Sequence, residues 1–342
     1  MERTGFVLEG GGMRGIYTAG VLDELMDWGL APDGILGVSA GAIHGASFVS
    51  GQQGRNIRYT KKYCRNWRFM SLRSMLLTGD LVGRVFSYEE LPYRLDPFDF
   101  DAFFRSPVRF YALATDVETG EAVCLDGKPD AHALLEALRA SSSMPLVSTI
   151  VEWEGRRYLD GGTADSIPLK RFEDMGYTRC LVVRTQPEGF VKRPDRSLAL
   201  MRVRYRRYPA FVRACERRHE VYNASLAYAG QAQAKGRALV LCPSRRIPIG
   251  RVEKNPEVLE AQYQLGRADA RAARERIEAF LGTKKGGFIP ESAGKAAISG
   301  HTCLPKPLFR SIMMRTGGVV PPGNMMERKA RVMETVKTNF IW

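Results

Sequence analysis

Histidine is scarce in this chain and cysteine is scattered. Only 4 His and 6 Cys occur among 342 residues, and no two cysteines form a C-x-x-C pair. This spacing argues against a zinc ribbon and against a redox dithiol. Isolated cysteines in a long chain are typical of a reducing compartment, where they behave as small hydrophobic residues. We therefore expect neither a metal site nor a cofactor.

Long apolar runs are also missing. No stretch of about eighteen apolar residues occurs, so no membrane-spanning helix is predicted. The opening MERTGFVLEGGG lacks the basic-then-apolar pattern of a secretory signal. These features predict a cytoplasmic protein whose membrane contact, if any, is peripheral to the inner face of the membrane.

The chain carries an excess of positive charge, with a formal net charge of +14. Such a balance attracts anions in general, including nucleic acid, anionic lipid and acidic substrates. No recognised nucleic-acid-binding fold accompanies it, which makes nucleic acid the weakest of these partners. Residues 283–342 hold ten Lys or Arg against three Asp or Glu and are rich in Gly, Pro and Met. We predict a basic tail there with little tendency to pack.

Apolar patterning near the N-terminus predicts a βαβ unit. A strand at 5–8 and a helix at 16–28 are followed by a strand at 34–38 and a helix at 40–49. Such a unit implies a parallel sheet with helices on its faces. Residues 52–105 are expected to form helices and loops that cover the sheet. Further strands are predicted at 108–115, 122–125, 149–153, 157–159, 180–184 and 239–242, and further helices at 132–140 and 256–281.

A glycine-rich turn follows the first strand and reads Gly10-Gly11-Gly12-Met13-Arg14-Gly15. Successive glycines let backbone N–H groups converge on one point, and the following helix adds the positive end of its dipole. Such a turn can hold a phosphate or the oxyanion of a tetrahedral intermediate. It also fits the dinucleotide pattern G-x-G-x-x-G, but that pattern requires an acid after the second strand. Here that strand ends in Val38-Ser39, which argues against a nucleotide.

A second motif, Gly37-Val38-Ser39-Ala40-Gly41, lies between a predicted strand and a predicted helix. In this context G-x-S-x-G is typical of a nucleophile elbow, in which flanking glycines allow a sharp turn that exposes the serine hydroxyl. The alternative is a serine that merely caps the helix.

The third motif is Asp160-Gly161-Gly162 at the end of a predicted hairpin. Two glycines after a strand-end carboxylate allow it to approach another backbone closely. Taken alone, the motif favours an ordinary turn, which is common.

Together with two further blocks, these motifs resemble the patatin-like phospholipase family. One block is Leu113-Ala114-Thr115-Asp116, ahead of a T-G turn. The other, Ala140-Ser141-Ser142-Ser143-Met144-Pro145, looks like the family's A-S-x-x-x-P stretch. The resemblance covers roughly residues 5–185. After D-G-G the chain reads Asp165-Ser166-Ile167-Pro168, where family members often carry N-x-P.

The resemblance implies a three-layer α/β/α fold with a mostly parallel sheet and a helical C-terminal extension. It implies hydrolysis of acyl lipid esters through an acyl-enzyme, with Ser39 as nucleophile, Asp160 as its base and no cofactor. The oxyanion hole would be formed by backbone N–H groups of Gly10, Gly11, Gly12, Met13, Arg14 and Gly15. We divide the chain into a catalytic domain (1–190), a basic, mostly helical extension (191–282) and the tail (283–342).

Several alternatives remain open at this stage. The order Ser39, Asp160, His219 also fits a Ser-His-Asp esterase, although His219 lies in a charged segment typical of a solvated helix face. A catalytically inactive lipid-binding relative is a third possibility. Arg14 either supports the glycine loop, as the resemblance favours, or meets a phosphate. The basic stretch 192–218 is either a solvated helix or a contact with anionic lipid, through Arg202, Arg204, Tyr205, Arg206, Arg207 and Tyr208.

Overall fold

The computed structural model describes residues 2–282, and the tail predicted for 283–342 lies outside this range. Within it, eight strands form one sheet. The strands are β1 (Thr4–Leu8), β2 (Gly34–Val38), β3 (Arg109–Asp116), β4 (Ala122–Asp126), β5 (Val151–Trp153), β6 (Arg156–Asp160), β7 (Arg179–Val183) and β8 (Ala238–Leu241). Their order is β5-β6-β3-β2-β1-β7-β8, with β4 paired to β3.

The five strands β3, β2, β1, β7 and β8 are parallel to one another, and one edge of the sheet is antiparallel. At that edge β4 and β6 pair antiparallel with β3, and β5 pairs antiparallel with β6. Because β1 and β2 are short, wholly buried and apolar, they have the character of strands covered on both faces. Every strand predicted from the sequence is present, with ends shifted by a few residues.

Eleven α-helices accompany the sheet in the described part of the chain. They are α1 (Ile16–Asp27), α2 (Ala40–Val49), α3 (Arg55–Tyr63), α4 (Leu72–Thr78), α5 (Phe100–Arg105), α6 (Ala131–Ser142), α7 (Leu169–Asp174), α8 (Leu198–Arg204), α9 (Pro209–Ala234), α10 (Pro256–Ala272) and α11 (Arg274–Leu281). A π-helical turn spans Phe86–Leu95. The single helix predicted for 256–281 is two helices, since α10 ends before Ala273.

Helices cover both faces of the sheet, which confirms the three-layer α/β/α prediction. Alternate residues of β1 point to opposite faces, as a period of two requires. Phe6 and Leu8 pack into the core that contains α1, α2, α6 and α11, whereas Val7 packs into the core that contains α7 and α9.

The segment after residue 190 contributes directly to this architecture. Strand β8 extends the sheet beyond β7, and α10 packs along α1. The two helices approach closely because each has a glycine where it contacts the other, Gly20 in α1 and Gly266 in α10. A Cβ on Gly20 would lie 2.1 Å from the Tyr263 carbonyl oxygen, and a Cβ on Gly266 would lie 2.1 Å from that of Tyr17. None of the helices within 2–282 combines the length and apolar character needed to cross a membrane.

Candidate active site

Ser39 occupies the tight turn between β2 and α2, with φ 54° and ψ −122°. A non-glycine residue in such a conformation costs about 1–3 kcal/mol and persists only where the surroundings enforce it. The flanking glycines make the turn possible. A Cβ on Gly37 would lie 2.4 Å from the Ala42 Cα, and one on Gly41 would lie 2.3 Å from the Leu8 carbonyl oxygen. The motif therefore forms a tight strand-to-helix turn, and the role of Ser39 as a nucleophile stays a prediction.

The backbone of the turn at Ser39 is held by a hydrogen bond to Ser141, at the C-terminal end of α6. The Ser39 N–H donates to the Ser141 Oγ (2.8 Å), and this hydroxyl donates to the Leu113 carbonyl oxygen on β3 (2.6 Å). Ser141 is fully buried. One hydroxyl thus joins the elbow to the centre of the sheet. Ser141 belongs to the A-S-x-x-x-P stretch, from which the sequence predicts no role for it.

Asp160 ends β6, opposite Ala114 of β3. Its backbone N–H donates to the Ser143 carbonyl oxygen (2.7 Å), and its Oδ1 accepts from the Gly162 N–H (2.8 Å). Arg218 of α9 reaches the same turn, where its Nε donates to the Gly162 carbonyl oxygen (2.6 Å). The D-G-G turn is thereby fixed from both α6 and α9.

The environment of Asp160 acts on its proton affinity in two directions. Burial raises the pKa of this carboxyl above its ordinary value, and this effect outweighs the others. The Arg218 guanidinium, a side-chain hydrogen bond with Ser39 and the Gly162 amide all lower the pKa. A buried carboxylate with a raised pKa, in contact with a serine, has the properties of a general base.

The glycine loop lies directly against the elbow. A Cβ on Gly10 would lie 3.0 Å from the Ser39 Cβ, and Gly12 has φ +57°, which favours glycine. The Met13 N–H donates to the Arg251 carbonyl oxygen (3.0 Å). The Met13 amide is one of the predicted oxyanion donors, but it already donates a hydrogen bond to Arg251 of the extension.

Two cavities meet at Ser39. We call the first the acyl chamber; it holds about 1040 Å³ including its mouth, and Ser39, Gly12 and mainly apolar side chains line it. Among those side chains are Met13, Ile16, Ile43, Phe69, Leu134 and Leu138. We call the second the polar chamber. It is lined by Gly10, Gly11, Gly12, Arg14, Ser39, Asp160, Gly162, Lys192, Asp195, Arg218 and Arg251, among others.

The polar chamber contains residues that the sequence does not predict as site residues. Lys192, Asp195, Arg218 and Arg251 all come from the segment after residue 190. In the sequence they stand among many other basic residues, and only the packing of the extension against the D-G-G turn separates them. Lys192 and Arg218 stand at the two ends of the basic stretch 192–218, whereas Arg251 lies outside it and carried no signal in the sequence.

Two histidines that bear on the predicted site lie in different environments. His219 lies on α9, is 25% exposed at its side chain and places its Nδ1 3.0 Å from the Glu216 carbonyl oxygen of its own helix. It is absent from the residues that line either chamber. His44 lines the acyl chamber, and burial lowers its pKa to about 4.

One residue expected at a lipid surface is instead in the core. Tyr205 is 1% exposed, and its hydroxyl accepts from the Leu146 N–H (2.9 Å), so the expectation that it meets lipid was wrong. Tyr205 directly follows α8, and its ring packs against Phe211 of α9, while the neighbouring arginines are exposed. Arg202, Arg204, Arg206 and Arg207 are exposed, and Tyr208 is half-buried.

Comparison with family models matches two parts of the chain. Residues 6–172 match the model described as Patatin-like phospholipase. Residues 208–282 match a model described as Domain of unknown function (DUF6363). The first match contains the glycine loop, the elbow and the D-G-G turn, and the second contains Arg218 and Arg251.

Similar curated proteins include bacterial and fungal chains. The uncharacterized protein YjjU of Escherichia coli is 33% identical over 199 residues, which are 56% of this chain and 55% of that protein. An uncharacterized NTE family protein of Mycobacterium tuberculosis is 27% identical over 167 residues, 49% of this chain and 44% of that protein. The chain thus spans about half the length of these relatives. Lysophospholipase NTE1 of Scheffersomyces stipitis is 24% identical over 188 residues, 51% of this chain and 11% of that protein.

Among solved structures, VipD from Legionella pneumophila aligns with a TM-score of 0.41 and 12% identity. The alignment covers 81% of this chain and 67% of that one.

Proposed function

Residues 6–172 of this chain belong to the patatin-like phospholipase family, and on that premise we propose that the protein hydrolyses acyl esters of lipids with Ser39 as nucleophile and Asp160 as base. The observation that carries the proposal is the junction of the two chambers. Ser39 sits on a strained elbow, lines the polar chamber together with Asp160, and also lines an apolar cavity. A scissile ester at this junction has room for its acyl chain on one side and its alcohol on the other.

In the proposed reaction, Asp160 takes the hydroxyl proton as the Ser39 Oγ attacks the ester carbonyl carbon. The tetrahedral intermediate collapses, the bond to the alcohol oxygen breaks, and protonated Asp160 returns its proton to that oxygen. Water then attacks the acyl-enzyme with Asp160 again as base, which releases the carboxylic acid and restores the Ser39 hydroxyl. Each step transfers a single proton between groups already present.

Backbone amides of the glycine loop are proposed to stabilise the oxyanion. Gly11 and Gly12 are the better candidates among the predicted donors, because Gly12 borders both chambers and the Met13 amide donates to Arg251. An amide donor of this kind contributes about 3 kcal/mol to the lowering of the barrier. The raised pKa of Asp160 implies that activity rises with pH as this carboxyl loses its proton.

The test is hydrolysis of a p-nitrophenyl ester series by the wild type, Ser39→Ala, Asp160→Asn and His219→Ala. We expect Ser39→Ala and Asp160→Asn to lose nearly all activity and His219→Ala to retain it. Labelling by a fluorophosphonate, located by mass spectrometry, should fall on Ser39. Loss of activity in His219→Ala alongside an active Asp160→Asn would establish the Ser-His-Asp alternative. An inert wild type that still binds fatty acid would support the inactive lipid-binding relative.

A peripheral contact with anionic lipid is also proposed, through the exposed arginines at 202, 204, 206 and 207. Basic side chains near an anionic surface contribute about 1 kcal/mol each. Flotation with liposomes should therefore require anionic lipid, and equal binding to neutral liposomes would contradict this contact.

A further inference from the structure

A third cavity, which we call the loop groove, contains neither Ser39 nor Asp160 and holds about 1830 Å³ including its mouth. Its walls come from the loop at 185–192 after β7, the loop at 243–253 after β8, the glycine loop and α10. Three side chains line both this groove and the polar chamber, namely Arg14, Lys192 and Arg251. The other residues of the groove line neither the polar chamber nor the acyl chamber, so the groove is a separate cavity.

The loop groove lies at the carboxyl edge of the sheet, where the strand order changes direction. The chain passes from β1 to β2 on one side of β1, and β7 lies on the other side. The connection through α1 packs on one face of the sheet, whereas the connection from β7 to β8 through α9 packs on the opposite face. Connections that leave neighbouring parallel strands toward opposite faces open a crevice between them, and open α/β sheets bind ligands in such crevices.

Positive charge predominates in this groove. Five cations line it against two carboxylates, Glu188 and Glu253. The cations are Arg14, Lys192, Arg245, Arg246 and Arg251. The Glu253 Oε1 already accepts from the backbone N–H groups of Lys254 and Asn255, each at 2.8 Å. The groove therefore attracts an anion.

Two residues of the groove carry a buried polar atom that has no hydrogen-bond partner within residues 2–282. One atom is a donor, the Arg14 Nε, and the other is an acceptor, the Gln262 Oε1 on α10. Gln262 as a whole is only 2% exposed. Unpaired buried polar atoms cost free energy, which a bound molecule that offers both an acceptor and a donor would recover.

We propose that the loop groove binds a soluble phosphate monoester that carries free hydroxyl groups, a chemistry shared by sugar phosphates and nucleotides. The phosphate faces the cations, because its oxygens accept several charge-assisted hydrogen bonds at once. An ionised phosphate monoester group offers only acceptors, so a hydroxyl of the ligand supplies the donor that Gln262 lacks. Half-buried Phe190 and Ile247 give the groove apolar surface for the carbon skeleton. Because Ser39 and Asp160 are not part of the groove, this ligand is not the ester that is cleaved, and the inference does not depend on the proposed function.

Titration calorimetry with the full chain tests the site directly. The probes are glucose 6-phosphate and adenosine 5′-monophosphate, compared with glucose, adenosine and inorganic phosphate. We expect at least one of the two esters to bind, and its unphosphorylated parent and inorganic phosphate to bind at least about tenfold more weakly, the loss expected for hydrogen bonds to a charged group. Binding of one ester alone supports the site and identifies the sugar or the nucleotide as its source. Binding of neither ester, or equally tight binding of inorganic phosphate, would overturn the proposal.

Gln262→Leu tests the buried acceptor, with Gln264→Leu on the same helix as the matched control. Gln264 is exposed, donates to the Glu260 Oε1 (2.7 Å) and does not line the groove. Gln262→Leu should weaken binding of the ester by about tenfold, whereas Gln264→Leu should leave it unchanged. Because leucine removes an acceptor that has no donor, Gln262→Leu without ligand should unfold at a temperature no lower than the wild type. Wild-type affinity in Gln262→Leu would contradict the assignment.

A pair of arginine variants distinguishes the loop groove from the polar chamber. Arg246 is exposed and lines the groove alone, whereas Arg218 lines the polar chamber alone. Arg246→Met should weaken binding of the ester by about tenfold, and Arg218→Met should leave it unchanged. The reverse result would place the ligand in the polar chamber and overturn the proposal. Equal weakening in both variants would overturn it as well, since it would show only a general attraction between the basic protein and an anion.

Discussion

The conformation of Ser39 yields a prediction about stability that is independent of the substrate. At φ 54° and ψ −122° the residue occupies backbone space that glycine adopts readily and other residues do not. We therefore compare Ser39→Gly with Ser39→Ala. Both variants lack the hydroxyl and should be inactive, so any difference between them reports the backbone alone.

The magnitude follows from two opposing effects. Relief of the strained conformation favours glycine by about 1–3 kcal/mol. The greater freedom of glycine in the unfolded chain opposes this by about 0.5–1 kcal/mol. Little packing is lost, because Ser39 faces the two chambers. Ser39→Gly should thus be more stable than Ser39→Ala by about 1 kcal/mol.

Urea unfolding followed by circular dichroism measures this difference, with the slope of the transition checked for equality between variants. Ala261, an exposed residue within α10, provides the control for the same chemical change in ordinary helical backbone. Ala261→Gly should destabilise the protein by about 1 kcal/mol. If Ser39→Gly is less stable than Ser39→Ala, in the same direction as the control, then the elbow is not strained and the reasoning fails.

Two further predictions concern contacts that hold the site together. Ser141→Ala leaves the Ser39 amide and the Leu113 carbonyl without partners in the core, so it should cost about 2–4 kcal/mol in urea unfolding and lower esterase activity. The control is Ser143→Ala in the same segment, which loses only a hydrogen bond to the Arg139 carbonyl oxygen and should change stability and esterase activity far less. Equal losses in the two variants would contradict the role of Ser141. Gly266→Ala places a Cβ 2.1 Å from the Tyr17 carbonyl oxygen and should destabilise by about 1–3 kcal/mol. Gly230→Ala on α9, where a Cβ meets nothing within 4 Å, should instead stabilise by up to about 1 kcal/mol, and a loss there similar to that of Gly266→Ala would refute the close crossing of α1 and α10.

Local sequence patterns were sufficient to predict the elements that carry the three motifs. Glycines on either side of Ser39 and after Asp160 mark places where backbone segments approach closely, and they do so within a few residues of the chain. The apolar strand and helix around each motif have their own periodicity. Because such patterns are local, they can be recognised without knowledge of the tertiary structure.

The rest of the site depends on contacts between distant segments, which have no local signature. Arg218 is one of several consecutive charged residues on α9, and only the packing of that helix against the D-G-G turn distinguishes it from Arg217. Tyr205 lies between exposed arginines in sequence but faces the core, where it contacts Phe211 and the Leu146 amide in a distant part of the chain. The break at Ala273 occurs where the sequence carries no glycine or proline to mark it.

These distant contacts give the segment after residue 190 a definite place in the architecture of the site. Its β8 extends the sheet beyond β7, its Arg218 donates to the D-G-G turn, and its Arg251 carbonyl accepts the Met13 amide of the glycine loop. Both loops that flank Ser39 are therefore braced by residues within or beside the part that matches a domain of unknown function. The same residues also form part of the wall of the polar chamber, so the proposed function predicts that substitutions in the extension change the preference for the alcohol portion of the ester.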